Sequence, residues 1–296
     1  MKPIVFEEEL IRTLEVRSRG LLHVAGDWIP LNNQPKTRVL KLHIKECCLM
    51  PLIYPGDYES RFCAGESLES LADEILEQVN RTRETADIPG DFFRTYEGVR
   101  DGIFCRVINA DKNRALLDEI PHEIHENLAI VFYYELQETW MEDATILIRN
   151  EHLELWDKSA CEIKNTAWKN TIKKKVVKFK KLSQVLAEYG LFETEMMEDN
   201  PLYLLTNEQG GFGAVTAFYP DVLAKCAEEL HSNLILLPSS IHEWLLLPSD
   251  VCDRAGDPDE LRVMVREINR SQLEEKEILS DEIYFYDWEL DRLSMI

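Results

Sequence analysis

A few short stretches of the chain gather side chains able to do chemistry. Ser239-Ser240-Ile241-His242-Glu243 sets hydroxyls, an imidazole and a carboxylate side by side between two strongly apolar segments, the ingredients of nucleophilic hydrolysis. A working triad also needs its members to converge in space, with a second group orienting the histidine, which neighbours on one turn achieve with difficulty. Ser240, His242 and Glu243 are therefore hydrolase candidates beside a plainer reading, a polar turn whose Ser239 and Ser240 hydroxyls satisfy backbone groups. In Glu119-Ile-Pro-His122-Glu-Ile-His125 two imidazoles stand three apart; on a helix they would share a face and could hold a divalent ion with Glu119 or Glu126. Pro121 makes this the mouth of an element and no further strong ligand is evident, so no metal site is expected. His43 with Cys47 and Cys48 sits on an alternating segment that sends His43 and Cys47 one way and Cys48 the other, which argues against metal or redox chemistry. The glycine cluster Asn207-Glu208-Gln209-Gly210-Gly211-Phe212-Gly213 lacks the helix that a phosphate loop requires after it; a strand is expected there instead, making the cluster a hairpin turn.

The most unusual feature is basic. Lys164, Lys169, Lys173, Lys174, Lys175, Lys178, Lys180 and Lys181 fall in a stretch with no acid. Ile172, Val176, Phe179, Leu182 and Leu186 recur there at helical spacing, which predicts a helix with one buried face and a positive ridge opposite. Nucleic acid is a partner only through this ridge, at Lys173, Lys174 and Lys175. The plainer alternative is a solvated face or one docked on the protein's own acids. The whole chain carries −22, which disfavours nucleic acid and anionic membrane elsewhere on the surface. Much of the negative charge lies late, in Glu274, Glu275, Glu277, Asp281, Glu282, Asp287, Glu289 and Asp291.

The elements that must position these residues read as follows. A helix spans 5–16, a strand lies near Leu21–Val24, Asn32–Pro35 is a turn, and Val39–Lys45 alternates as a half-buried strand. Ser67 opens a helix carrying Leu68, Leu71, Ile75 and Val79, so the start reads α-β-β-α. Ile88-Pro89-Gly90-Asp91 is the candidate boundary, between an N-terminal domain at 1–88 and a larger domain at 89–296. Beyond it come a helix near Phe92–Val99, strands at Gly102–Ile108, Leu128–Leu136 and Ala144–Ile148, and a short helix over Asp111–Leu117. Glu151–Asn170 is mostly helical, and the lysine helix ends at a Tyr189-Gly190 cap. Leu202–Thr206 and Ala214–Phe218 form the glycine hairpin, and Asp221 caps a helix to Leu230. Leu234–Leu237 and Trp244–Leu247 pair, Asp257–Gln272 is an amphipathic helix, and Ile283–Trp288 is a last strand. Strands and helices in this mixed order predict an α+β fold with mixed or antiparallel sheets and packed helices, not a doubly wound one.

The 296 residues are 45% hydrophobic, enough for a sizeable core without staples. The seven cysteines are odd in number and contain no C-x-x-C pair, which disfavours a disulfide framework or cysteine-type zinc site; Cys105 and Cys226 read as core residues. No apolar run approaches a membrane span, and the N-terminus lacks a signal-peptide core, so a cytoplasmic location is expected.

The pieces DFFRTYEGVRDGIFCRVIN, NRALLDEIPHEIHENLAIVFYYEL, ATILIRNEHLELW, LILLPSSIHEWLLLP and IYPGDYESRFCAGESLESLADEIL resemble an uncharacterised, domain-of-unknown-function family of Clostridia-type Firmicutes. That family is often present in many copies and on mobile elements. A fainter similarity extends to another uncharacterised family of Bacillus-type bacteria. The resemblance implies an intracellular bacterial protein and supplies no activity, cofactor or catalytic residue. It does direct attention to Asn150, His152 and Trp156 as binding candidates.

Without a convincing acid–base or metal constellation, the reading favoured is a non-enzymatic acidic binding or adaptor protein with a basic protein partner. Glu274, Glu275 and Glu277 are part of its working surface, and it acts by nucleic-acid mimicry or in a chaperone-like way. The order of its opening elements is similar to that of small secretion chaperones, by analogy only. No cofactor is implied. The alternative is a hydrolase using Ser239–Glu243.

Overall fold

The computed structural model describes residues 3–45, 50–85, 92–136, 145–188, 190, 201–251 and 258–296. They divide into two units. One takes the described residues up to Val99 except Asn32–Gln34, together with Leu136; the other takes Asn32–Gln34, Arg100–Glu135 and the described residues from Thr145 onward. The described chain is α+β, its strands arranged in three sheets. The boundary expected between 88 and 89 lies outside the described residues, as do Cys47 and Cys48.

In the first unit, helix α1 (Pro3–Arg17) repeats Phe6, Leu10 and Leu14 at four-residue spacing, and all three are buried. Strands β1 (Leu22–Leu31) and β2 (Gln34–Ile44) follow, and short β3 (Leu52–Ile53) pairs with β2. Leu40, Leu42 and Ile44 of β2 enter the core while His43 stays exposed, the period-2 pattern of a half-buried strand. Helix α2 (Pro55–Cys63) starts on Pro55, where a missing N–H costs nothing. Helix α3 (Leu68–Thr85) is capped by Ser67, whose hydroxyl accepts the Ser70 N–H at 3.1 Å. Its Leu71, Ile75 and Val79 pack into the same core as α1, each such burial contributing about 1.5–3 kcal/mol. The opening is therefore α-β-β-β-α-α rather than α-β-β-α. Leu52-Ile53 is too short to display a period, and Pro55 is a first-turn residue of α2. A single helical turn, α4 (Tyr96–Val99), completes this unit.

The second unit begins with β4 (Ile103–Asn109), the turn-length helix α5 (Arg114–Leu117), β5 (His122–His125), β6 (Leu128–Glu135) and β7 (Thr145–Leu147). β6 is central: β4 runs antiparallel along one side, and β5 and β7 share the other. Helices α6 (Asn150–Trp156) and α7 (Ala160–Lys174) come next, separated at Asp157, whose φ is 50°. Then follow β8 (Val177–Lys181), α8 (Leu182–Glu188), β9 (Tyr203–Asn207), a 3-10 helix (Gly213–Phe218) and α9 (Val222–Leu230). The remainder is β10 (Leu234–Ser240), β11 (Glu243–Pro248), α10 (Pro258–Gln272), β12 (Tyr284–Asp287) and β13 (Arg292–Met295). The larger sheet has the order β13-β12-β10-β11-β9-β8. Leu234 and Leu236 face a core with Ala214, Leu223 and Cys226; Ile235 and Leu237 face another with Val265 and Ile283. Covering on both faces explains why Leu234–Leu237 of β10 is continuously apolar.

Three expectations are corrected. Ala214–Phe218 is not a strand but the 3-10 helix, so the glycine cluster joins no hairpin; β9 pairs with β8 and β11 instead. Ala214–Ala217 is buried all round, and so short an apolar run carries no period to separate the two conformations. The lysine stretch is not one helix: α7 stops at Lys174 and Val177–Lys181 is a strand. Val-Lys-Phe-Lys alternates as well as it fits a helix, and Phe179 stacks on Tyr203 at 5.3 Å across the strand pair. Asp221 sits at the N-cap position of α9 but with φ 59° and no capping bond from its side chain.

Candidate functional site

Three turns of the second unit surround a cavity of about 330 Å³. The first is the β5–β6 turn, where Glu126 adopts φ 55° and Asn127 accepts a hydrogen bond from the Tyr284 hydroxyl. The second joins the 3-10 helix to α9 and contributes Phe218, Tyr219 and Asp221. The third is the β12–β13 turn, with Asp291 at φ 46°. Its carboxylate accepts the Tyr286 hydroxyl at 2.6 Å. Phe218, Tyr219, Tyr284 and Tyr286 are among the residues lining it, and Glu126, Asp221 and Asp291 bring three carboxylates against the single positive charge of Arg292. The three acids are exposed at their left-handed turns, where L residues are held at some cost. His125 also lines the cavity, 5.2 Å from Phe218 ring to ring. Burial raises the pKa of Tyr284 and Tyr286, and for Tyr286 the Asp291 and Asp221 carboxylates add to it. Both phenols thus stay neutral donors through the physiological range. Apolar faces with convergent polar groups are what a ligand site requires, and here the sign of those groups selects a cation.

The Ser-Ser-Ile-His-Glu loop is the β10–β11 connection, with an irregularity between Pro238 and Ser240. Ser239 donates to the Glu243 carboxylate at 3.2 Å, and the Ser240 hydroxyl accepts the His242 backbone N–H at 3.0 Å. The His242 ring accepts the Phe212 N–H on Nδ1, also at 3.0 Å. These bonds tie the loop to the glycine cluster. His122 and His125 lie on β5 rather than a helix; three apart on a strand they point to opposite faces, which undoes the shared-face arrangement. Among the described residues no group of three His, Cys, Asp or Glu is placed to hold a metal ion. No described helix is long and apolar enough to cross a membrane.

Asn150 and His152 lie in the first turn of α6, and Trp156 is its last residue. His152 Nδ1 accepts the Arg149 N–H at 3.0 Å, Asn150 donates its side chain to the Asp118 carbonyl at 3.3 Å, and His152 lies 5.6 Å from Trp156. Burial lowers the His152 pKa, keeping the imidazole a neutral acceptor. Glu275 pairs with Lys112 at 3.2 Å and Glu274 with Lys276 at 2.7 Å, while Glu277 ends the 3-10 turn they share. Several lysines of the basic stretch meet acids: Lys164 with Glu123 at 2.9 Å, Lys175 with Glu135 at 2.7 Å, Lys180 with Glu188 at 2.6 Å. Lys174 donates to the Asp101 carbonyl, and Lys173 is exposed in the last turn of α7. Cys105 and Cys226 are core residues, 1% and 3% exposed.

Sequence reasoning missed the cavity because its residues come from three distant turns with no shared spacing. The aromatic run Tyr284-Phe285-Tyr286 followed by Asp287 and Asp291 was the available signal. The profile of a family of unknown function, DUF5688, matches residues 5–288. No curated protein and no solved structure matches the chain.

Proposed function

The chain belongs to the DUF5688 family, and we propose that it is a non-enzymatic binding protein whose cavity takes a cationic side chain of a basic protein partner. The observation that carries this is the cavity itself, with its aromatic walls and the Glu126, Asp221 and Asp291 carboxylates around it. A guanidinium or ammonium gains from the faces of such rings, about 0.5–2 kcal/mol each according to exposure, and from the carboxylates together. The residues lining the cavity include no serine, threonine or cysteine nucleophile. The net charge of −22 adds long-range attraction for a basic partner. The same reading places the protein in a bacterial cytoplasm.

Titration with Nα-acetyl-arginine amide, followed by NMR, tests it: saturable shifts are expected at Phe218, Tyr284 and Tyr286, and none with Nα-acetyl-glutamate amide. Shifts confined to Ser239–Glu243 would favour the hydrolase alternative, and no saturable shift at the cavity would sink the reading.

A further inference from the structure

Strand β4 reads Ile-Phe-Cys-Arg-Val-Ile-Asn, and Arg106 is its one residue that is not fully buried. The register sets Phe104 opposite Tyr133 and Arg106 opposite Val131, so Phe104, Arg106 and Tyr133 share a face. The Arg106 guanidinium carbon lies 5.9 Å from the centre of the Tyr133 ring and 5.1 Å from that of Phe212. Those two rings are themselves 5.1 Å apart. The Arg106 Nε is buried and makes no hydrogen bond. Among the described residues no carboxylate forms an ion pair with Arg106, and Glu135, further along β6, is engaged by Lys175 at 2.7 Å.

A guanidinium presents five N–H donors in a plane. Aromatic faces attract its charge but offer no acceptor to that fork. Burial also lowers its pKa, so an arriving anion would relieve the charge as well as the donors. The aromatic cover is fixed in place. Phe212 is held at φ 52°, donates its N–H to His242 Nδ1 at 3.0 Å, and stacks on that imidazole at 5.5 Å. Gly213 follows it where the backbone leaves no room for a Cβ. The glycine cluster thus serves to hold Phe212 over Arg106.

We propose that Arg106, between Tyr133 and Phe212, is the recognition point for an oxyanion, the carboxylate or phosphate group of a small ligand, gripped by the two-pronged N–H fork. Arg suits this role and Lys does not, because only the planar fork can engage two oxygens at once. In a chain of charge −22 the long-range field repels anions, so any saturable binding reports a local site. The site shares no residue with the cation cavity and stands or falls separately from it.

Calorimetric titration of the full chain with inorganic phosphate, and separately with acetate, tests the proposal, with chloride holding ionic strength constant. Saturable binding of at least one is expected: phosphate alone assigns a phosphate group, acetate alone a carboxylate. Arg106→Lys is expected to weaken it at least tenfold, while Arg114→Lys, the same change at an exposed arginine of α5, leaves it unchanged. Should Arg106→Lys not fold, Phe212→Leu, which removes one aromatic wall, is expected to weaken binding several-fold. No saturable binding of either ion, or equal affinity in wild type and the variant, would overturn the proposal.

Discussion

Gly213→Ala puts a methyl group where the folded chain has no space for one. The added Cβ would stand 2.5 Å from the His242 carbonyl oxygen and 2.7 Å from the Asn207 nitrogen, and closer still to the Thr206 hydroxyl. Two of these neighbours are backbone, so relief requires the β9 end or the β10–β11 loop to move. Overpacking of this kind costs about 1–3 kcal/mol. The Thr206 hydroxyl also donates to the His242 carbonyl at 2.8 Å, and losing that bond adds about 0.5–1.5 kcal/mol. The expected loss is about 2–4 kcal/mol, measured as a fall in the urea midpoint at unchanged slope. Gly211→Ala is the internal control: nothing lies within 4 Å of its Cβ position, so a change within about 0.5 kcal/mol is expected. If both variants unfolded alike, the account of how the cluster holds Phe212 would be refuted.

Other expectations follow from single groups. Glu162 is held down to about 2, chiefly by the Ser159 backbone N–H, then by Lys158 and the Ser159 hydroxyl. Its stabilisation of the α7 start is therefore complete above its ordinary 4.5 and lost as pH falls toward 2; carbon NMR titration should show this, with Ser159→Ala raising the value. Cys226 is pushed up to about 12 by burial, so iodoacetamide at pH 8 should label exposed Cys63 and Cys161 in the native protein and spare Cys105 and Cys226; peptide mass spectrometry reads the outcome.

What could be read in advance was whatever local spacing controls. The alternation Leu40, Leu42, Ile44 required a half-buried strand, and Leu71, Ile75 and Val79 behind Ser67 required a capped helix. The pairing of Leu234–Leu237 with Trp244–Leu247 was legible from two apolar runs around a polar turn. Local spacing failed where two periods fit the same residues, as in Val177–Lys181, or where burial on all sides erased any period, as in Ala214–Ala217. The cavity escaped local spacing for a different reason: Glu126, Asp221 and Asp291 are unremarkable turn residues until the sheets bring their turns together. Arg106 did leave a mark, a lone charge inside the otherwise apolar run Ile103–Ile108. A charge so placed needs a partner, and among the described residues it meets the Tyr133 and Phe212 rings and no carboxylate.

The most direct test of the cation-binding account is the dissociation constant of a short arginine-rich peptide for the wild type and for the Asp221→Asn, Asp291→Asn double variant, at low and high salt. Asn keeps the left-handed turns at 59° and 46° accessible, so the change removes charge and leaves the backbone in place. Exposed pairs contribute at most about 1 kcal/mol each, so the double variant is expected to bind about threefold to thirtyfold more weakly, with the difference shrinking as salt shortens the Debye length to about 3 Å at 1 M. Equal affinity of the two proteins at low salt would contradict the account.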